Sequence, residues 1–174
     1  MTVIRPLDLA DVPALTELVL TSREHLAPWE PARPERFYTE EGQREMVRLA
    51  LAERHGGRMG PYVVTDERGR IAGRITLNNI VRGAGQYASV GYWLGAGFTG
   101  RGLATRAVAE LSDLAFGKWQ LHRLEAGTLL HNLASQQVLE RNGFQRYGLA
   151  RKYVMIAGTY QDHQLYELLS PDLR

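Results

Sequence analysis

Residues 94–105 read Leu94-Gly95-Ala96-Gly97-Phe98-Thr99-Gly100-Arg101-Gly102-Leu103-Ala104-Thr105, with four glycines in eight positions directly after an aromatic, strand-like run. A backbone so free of side chains can approach a phosphate closely, and three phosphate-binding patterns fit the stretch in part. Gly95 to Gly100 satisfies G-x-G-x-x-G, with Glu125 further on as a ribose-binding acid, but a dinucleotide fold needs that fingerprint at the head of a run of parallel βαβ units. Here three strands joined by tight turns come before it. Gly95 to Gly102 also imitates G-x-x-x-x-G-K-[ST], yet Arg101 replaces the lysine and Gly102 stands where the magnesium-binding hydroxyl belongs. In the third pattern, Thr99-Gly100-Arg101-Gly102-Leu103-Ala104 sits at a strand-to-helix junction. Inward-pointing amides and a helix N-terminus, carrying roughly +0.5 charge, suit a pyrophosphate there. The competing reading is a connection whose glycines only turn the chain.

The chain on either side narrows the choice. Thr2 to Leu7 reads as a strand, and Asp8 with Asp11 gives an acidic start to a helix carrying Val12, Leu15, Leu18 and Val19. The segment His25-Leu26-Ala27-Pro28-Trp29-Glu30-Pro31 reads as a structured loop because its prolines cannot continue a helix. Thr39-Glu40-Glu41 opens a second helix, with Met46, Val47, Leu49, Ala50 and Leu51 on its apolar face and Gly56-Gly57 at its end. The period then becomes two: Tyr62–Thr65, Arg70–Leu77 and Tyr87–Leu94 read as antiparallel strands around the turns at 66–69 and 82–85. Beyond the glycines, Leu103, Ala107, Val108, Leu111, Leu114 and Ala115 mark a half-buried helix. Leu124 to Leu129 follows as a strand, Asn132 to Asn142 as a helix closed by Gly143, and the remainder as two strands around Ala157-Gly158-Thr159.

Composition removes several classes of chemistry. With 174 residues the chain fills one domain. It contains no cysteine, which excludes disulfides, thiolate metal sites and a cysteine nucleophile. A balance of 21 Lys and Arg against 19 Asp and Glu, net +2, offers mild attraction to an anion but no nucleic-acid surface. No apolar run approaches the roughly 20 residues of a membrane span and no signal segment opens the chain, so the expectation is a cytoplasmic protein without a membrane partner. The five histidines show neither H-x-x-x-H nor H-E-x-x-H spacing, and no metal is expected.

The element order around the glycine loop resembles the GNAT superfamily of N-acetyltransferases over nearly the whole chain. A second stretch strengthens the likeness: Asn132-Leu133-Ala134-Ser135-Gln136-Gln137-Val138-Leu139-Glu140-Arg141-Asn142-Gly143-Phe144 fits N-x-x-S-x-x-V-x-x-x-x-G-F. That run is similar to the branch containing the ribosomal-protein alanine N-acetyltransferases, as are residues 25–31 and 158–168. The resemblance implies a single mixed α/β domain over residues 1–174, with a central, mostly antiparallel twisted sheet of about seven strands and about four flanking helices. It implies acetyl-CoA as acyl donor, held by Tyr92, Trp93, Leu94, Thr99, Gly100, Arg101, Gly102, Leu103, Ala104, Thr105, Asn132 and Ser135. The acceptor would be an amine, at a protein N-terminus or on a small molecule such as an antibiotic, and a non-catalytic acyl-CoA-binding protein is a further alternative. Homodimers are common in the superfamily, although no heptad or apolar stripe marks one here.

Acetyl transfer from a thioester needs a neutral amine, a donor for the oxyanion and a proton for the leaving thiolate. The strand Val90–Leu94 would supply the oxyanion amide, with Gly91 suited to a bulge that aims it. Many superfamily members carry a tyrosine acid on the last helix where Leu139 stands here, so the resemblance points to Ser135 as proton donor or sulfur partner. Read locally, Asn132 is a helix N-cap and Ser135 a bystander in its first turn. Glu30 is the leading candidate base, with His25 and Asp162 beside it. Arg101 is the first of four arginines (with Arg106, Arg141 and Arg146) that could meet the phosphates. Trp29 reads as a wall of the acceptor pocket.

Overall fold

The computed structural model describes residues 2–171, so Met1 and residues 172–174, at the ends of the expected 1–174 domain, lie outside the described residues. Strand β1 (Ile4–Pro6) leads into a short turn where Asp8 accepts the Ala10 amide at 2.8 Å and Asp11 accepts the Asp8 amide at 2.9 Å. This reciprocal cap starts helix α1 (Val12–Thr21), whose Val12, Leu15, Leu18 and Val19 are all buried. Helix α2 (Arg23–Leu26) is a single turn and takes in His25 and Leu26, which the proline-rich sequence assigned to a loop. Pro28 has no amide N–H to continue the ladder, but the turn closes before it, with the Leu26 amide donating to Ser22 O at 2.9 Å and the Ala27 amide to Arg23 O at 3.0 Å. Helix α3 (Glu40–His55) starts where Thr39 Oγ1 accepts the Gly42 amide at 3.1 Å.

Strands β2 (Gly60–Thr65), β3 (Ile71–Val81) and β4 (Tyr87–Leu94) form the antiparallel run, followed by α4 (Leu103–Phe116), β5 (Arg123–Leu129), α5 (Leu133–Arg141), β6 (Gln145–Ile156) and β7 (Thr159–Leu169). Among the described residues, seven strands make one sheet in the order β1-β2-β3-β4-β5-β7-β6, and only β4 with β5 is parallel. That order excludes the run of parallel units a dinucleotide fold requires. The fold is the expected mixed α/β sheet, with one helix more than expected because α2 is formed.

Alternation splits the core between the two faces. Tyr62, Val64, Ile75 and Leu77 join Ala107, Leu111, Leu124, Leu139 and Tyr166 on the side of α4 and α5. Val63 joins Leu7, Val12, Leu15, Val47 and Ala50 on the side of α1 and α3. Among the described residues, no helix is long and apolar enough to cross a membrane, and no three His, Asp or Glu side chains gather as metal ligands would.

Candidate active site

The parallel pairing of β4 with β5 runs only from Tyr87↔Arg123 to Ser89↔Glu125. Beyond it β5 stays fully paired to β7 and β4 to β3, so the two strands splay and a seam opens through the sheet. The Gly95 amide donates to Ala72 O of β3 at 2.8 Å. Alternation along this regular register turns the Tyr92 and Leu94 amides the other way, into the seam. The register is unbroken from Leu94 to Ser89, so no bulge exists at Gly91; the irregularity lies on β3, between Asn78 and Val81. Gly91 instead leaves room for Asn78, whose Nδ2 would stand 3.0 Å from an added Cβ.

Helix α5 starts at this seam. Asn132 caps it, its Oδ1 accepting the Ser135 amide at 3.1 Å, as the local reading of the motif required. The Tyr92 hydroxyl lies 2.8 Å from Ser135 Oγ and 3.2 Å from Ser135 O. Burial pushes the Tyr92 phenol up to about 12, partly opposed by its bond to Ser135, so it is a protonated donor at neutral pH. Two hydroxyls from residues 43 positions apart thus meet in the seam, a pairing without a local signature in the chain.

Two cavities of about 530 Å³ each open on either side of this point. The first, a groove, runs past Tyr92, Trp93 and Leu94 to Thr99, Gly100, Gly102, Leu103, Ala104 and Thr105, and along α5 at Asn132, Ser135, Val138 and Arg141. Gly100 and Gly102 have φ of +73° and +71°, a left-handed backbone that favours glycine, and an added Cβ at either meets nothing within 4 Å. The amides of Leu103, Ala104 and Thr105 begin α4 and have no carbonyl one turn earlier to bond. This open, glycine-lined cradle fits a pyrophosphate. Arg101 is not among the lining residues; it is exposed, with its guanidinium 5.8 Å from the Phe98 ring, while Arg141 does line the groove. Arg146 is held by Glu140 at 2.7 Å.

The second cavity lies on the α3 side, between Met46, Leu49 and Ala50 of that helix, β3, the seam and the 26–33 loop. Glu30 and Trp29 line it, and the Trp29 ring also stacks 5.5 Å from that of His131. Burial raises the Glu30 carboxyl above its ordinary range, opposed by Arg33, whose Nε is 3.6 Å away. His25 lies in the groove instead. Asp162 lines neither cavity, because its Oδ1 accepts the Lys152 amide at 2.8 Å across the β6–β7 hairpin. The neighbouring His163 lines the cavity in its place, 7% exposed. Arg33, Arg74 and Thr128, which sequence reading passed over, line it too. Leu26, Trp29, Tyr92, Trp93, Asn132 and Ser135 belong to both cavities, which therefore meet at the paired hydroxyls.

Comparison with known proteins agrees with this geometry. A profile of the acetyltransferase (GNAT) domain matches residues 2–145. A Bacillus subtilis protein named as a probable N-acetyltransferase, YjcK, is 37% identical over 174 residues, covering 97% of this chain and 94% of its own. The ribosomal-protein-S5-alanine acetyltransferase of Vibrio fischeri superposes with a TM-score of 0.92 at 31% identity, covering 98% of this chain and 94% of that one. Mycobacterium smegmatis RimJ, solved in complex with CoA-disulfide, superposes with a TM-score of 0.93 at 33% identity, covering 98% and 82%.

Proposed function

The chain belongs to the acetyltransferase (GNAT) family, and on that premise we propose that it transfers the acetyl group of acetyl-CoA directly to the α-amine of a protein N-terminus in the cytoplasm. The observation that carries this reading is the meeting of groove and cavity at Tyr92 and Ser135. A thioester laid along the groove and an amine presented from the cavity would come together there and nowhere else. The glycine cradle at 99–105 takes the pyrophosphate, and the β4 amides turned into the seam face the thioester oxygen.

The amine nitrogen forms a bond to the acetyl carbon, the carbon–sulfur bond breaks, and the thiolate needs a proton. Ser135 supplies it: when Tyr92 donates to Ser135 Oγ, the serine hydroxyl is free to point its own proton at the sulfur, and as that proton leaves, Oγ takes the phenol proton of Tyr92, which solvent in the open groove restores. Glu30, its carboxyl raised by burial, accepts the proton the amine loses. An α-amine, near pKa 7.7 to 8.0, is partly neutral at physiological pH and asks little of that base, whereas lysine near 10.4 asks much. This favours an N-terminal acceptor, as do the names of the Vibrio relative and its like. With no cysteine in the chain, a cysteine-bound acetyl intermediate is excluded.

Thiol release from acetyl-CoA, followed over peptides with free or blocked N-termini, tests the reading. Turnover is expected with free α-amines alone. Binding of acetyl-CoA by calorimetry without thiol release on any amine would leave a binding protein in place of an enzyme.

A further inference from the structure

Arg74 occupies an unusual place. On the sheet it stands between Val63 of β2 and Trp93 of β4, in a cross-strand row that faces the apolar layer under α1 and α3. Its Nε is buried without a hydrogen-bond partner, and its guanidinium takes part in no ion pair or ring contact among the described residues. Thr128, 4% exposed on β5, likewise has a buried hydroxyl with no partner. Both line the α3-side cavity. Buried polar atoms are nearly always hydrogen-bonded, and a half-buried guanidinium with no counter-charge favours an anionic partner. Thr128 shares its side of β5 with Leu124 and Ala126, which face α4 and α5, and Arg33 Nε, buried without a hydrogen-bond partner in the same cavity, lies 3.6 Å from Glu30. Arg74 is the arginine of this cavity with no ion pair among the described residues, and it marks the place of a ligand.

The charges around the cavity indicate which ligand. Glu53 is engaged by Arg58 at 2.7 Å and Glu30 lies beside Arg33 at 3.6 Å, so each of these acids is matched by a base. Arg74 is left over, and burial together with the nearby charge of Arg33 lowers its pKa. One excess positive charge is met by one negative charge; a doubly charged phosphate would overshoot it. The planar guanidinium also matches a carboxylate edge on.

We propose that Arg74 is the acceptor-recognition residue of this cavity and that the amine acetylated here carries a carboxylate close by, on an acidic side chain near the peptide's N-terminus. This rests on the proposed acetyl transfer only for the identity of the amine; the anion subsite itself can be tested without turnover.

The test is calorimetry on the CoA-loaded protein with two C-terminally amidated peptides, Ala-Glu-Ala-Ala and Ala-Gln-Ala-Ala, and with free alanine. The acidic peptide is expected to bind about ten-fold tighter than its amide twin, the scale of one charge-assisted hydrogen bond. In Arg74→Gln that preference disappears, in Arg74→Lys it survives in part, and CoA affinity is unchanged in both. The melting temperature of Arg74→Gln is expected to hold or rise, because an unpaired, half-buried charge has gone; an arginine with a purely structural role would lower it. Equal binding of the two peptides by the natural protein, or a preference that persists in Arg74→Gln, would overturn the proposal. Tighter Arg74-dependent binding of free alanine than of the acidic peptide would overturn the side-chain assignment in favour of an α-carboxylate. If acidic peptides bind selectively and none releases thiol, the transferase reading fails and the subsite stands. If both peptides are acetylated equally well, the reverse holds.

Discussion

The groove over residues 99–105 and the cavity under α3 are of equal size, about 530 Å³, but they are made of different material. The groove's phosphate end is main chain, shaped by two left-handed glycines and the first turn of α4. The cavity is side chain, assembled from segments as far apart as Leu26 and His163 and carrying nearly all of the charge. A backbone cradle binds a phosphate whatever surrounds it, whereas a side-chain cavity can be refitted residue by residue. The same scaffold can therefore keep its acyl donor fixed and change its acceptor.

The sharpest way to break the comparison is at the point the two regions share. Ser135→Ala should lower kcat by about 100-fold, the lower range for loss of a positioned proton donor, well beyond any change in acetyl-CoA affinity. Stopped-flow thiol release beside calorimetry would check both halves, and unaltered kcat would remove the serine from the chemistry. Next in size is Gly102→Val. An added Cβ there meets open space, so only the φ of +71° opposes it, a strain of roughly 1–3 kcal/mol for a branched residue. Acetyl-CoA affinity should fall about ten-fold while acceptor KM stays the same. Gly97→Ala is the control: its φ is ordinary and its Cβ space also open, so affinity should not move. Equal effects at both positions would mean that loop flexibility, not cradle shape, holds the ligand.

The difference in material also explains what could be read from the sequence. The groove was legible because its parts are local: glycines at a strand-to-helix junction, Asn132 three residues before Ser135, and apolar spacing along α4. Even so, the first glycine of the G-x-G-x-x-G match has another purpose. A Cβ on Gly95 would lie 2.4 Å from Leu18 Cδ1, so that glycine lets α1 pack against the strand end. The cavity was not legible because its parts meet only through pairing. The splay of β4 from β5 after Ser89 leaves no local trace. Arg74, alternating with Gly73 and Ile75, reads as a solvent-facing strand residue until α3 is known to cover that face. On β7 the candidate Asp162 stands one residue from His163, which lines the cavity, and in a strand one residue is the whole difference between the two faces.

The smallest expected effect sharpens the comparison at the phenol that links its halves. Tyr92 is held near 12, against about 10 for an exposed tyrosine, because burial opposes its anion. The folded state keeps this proton where the unfolded chain loses it. Its contribution to stability is therefore complete below pH 10 and falls as the pH rises toward 12, by roughly 2–3 kcal/mol in all. At pH 8, Tyr92→Phe should be less stable by about 1 kcal/mol through loss of the bond to Ser135, with kcat down by about five- to ten-fold. By pH 11 the natural protein will have surrendered part of its advantage and the variant will not, so the gap should close or invert. Denaturant unfolding at the two pH values measures it directly. A gap that stays constant would mean that burial does not hold the phenol's proton, and Tyr92 would then not lie in the seam between groove and cavity.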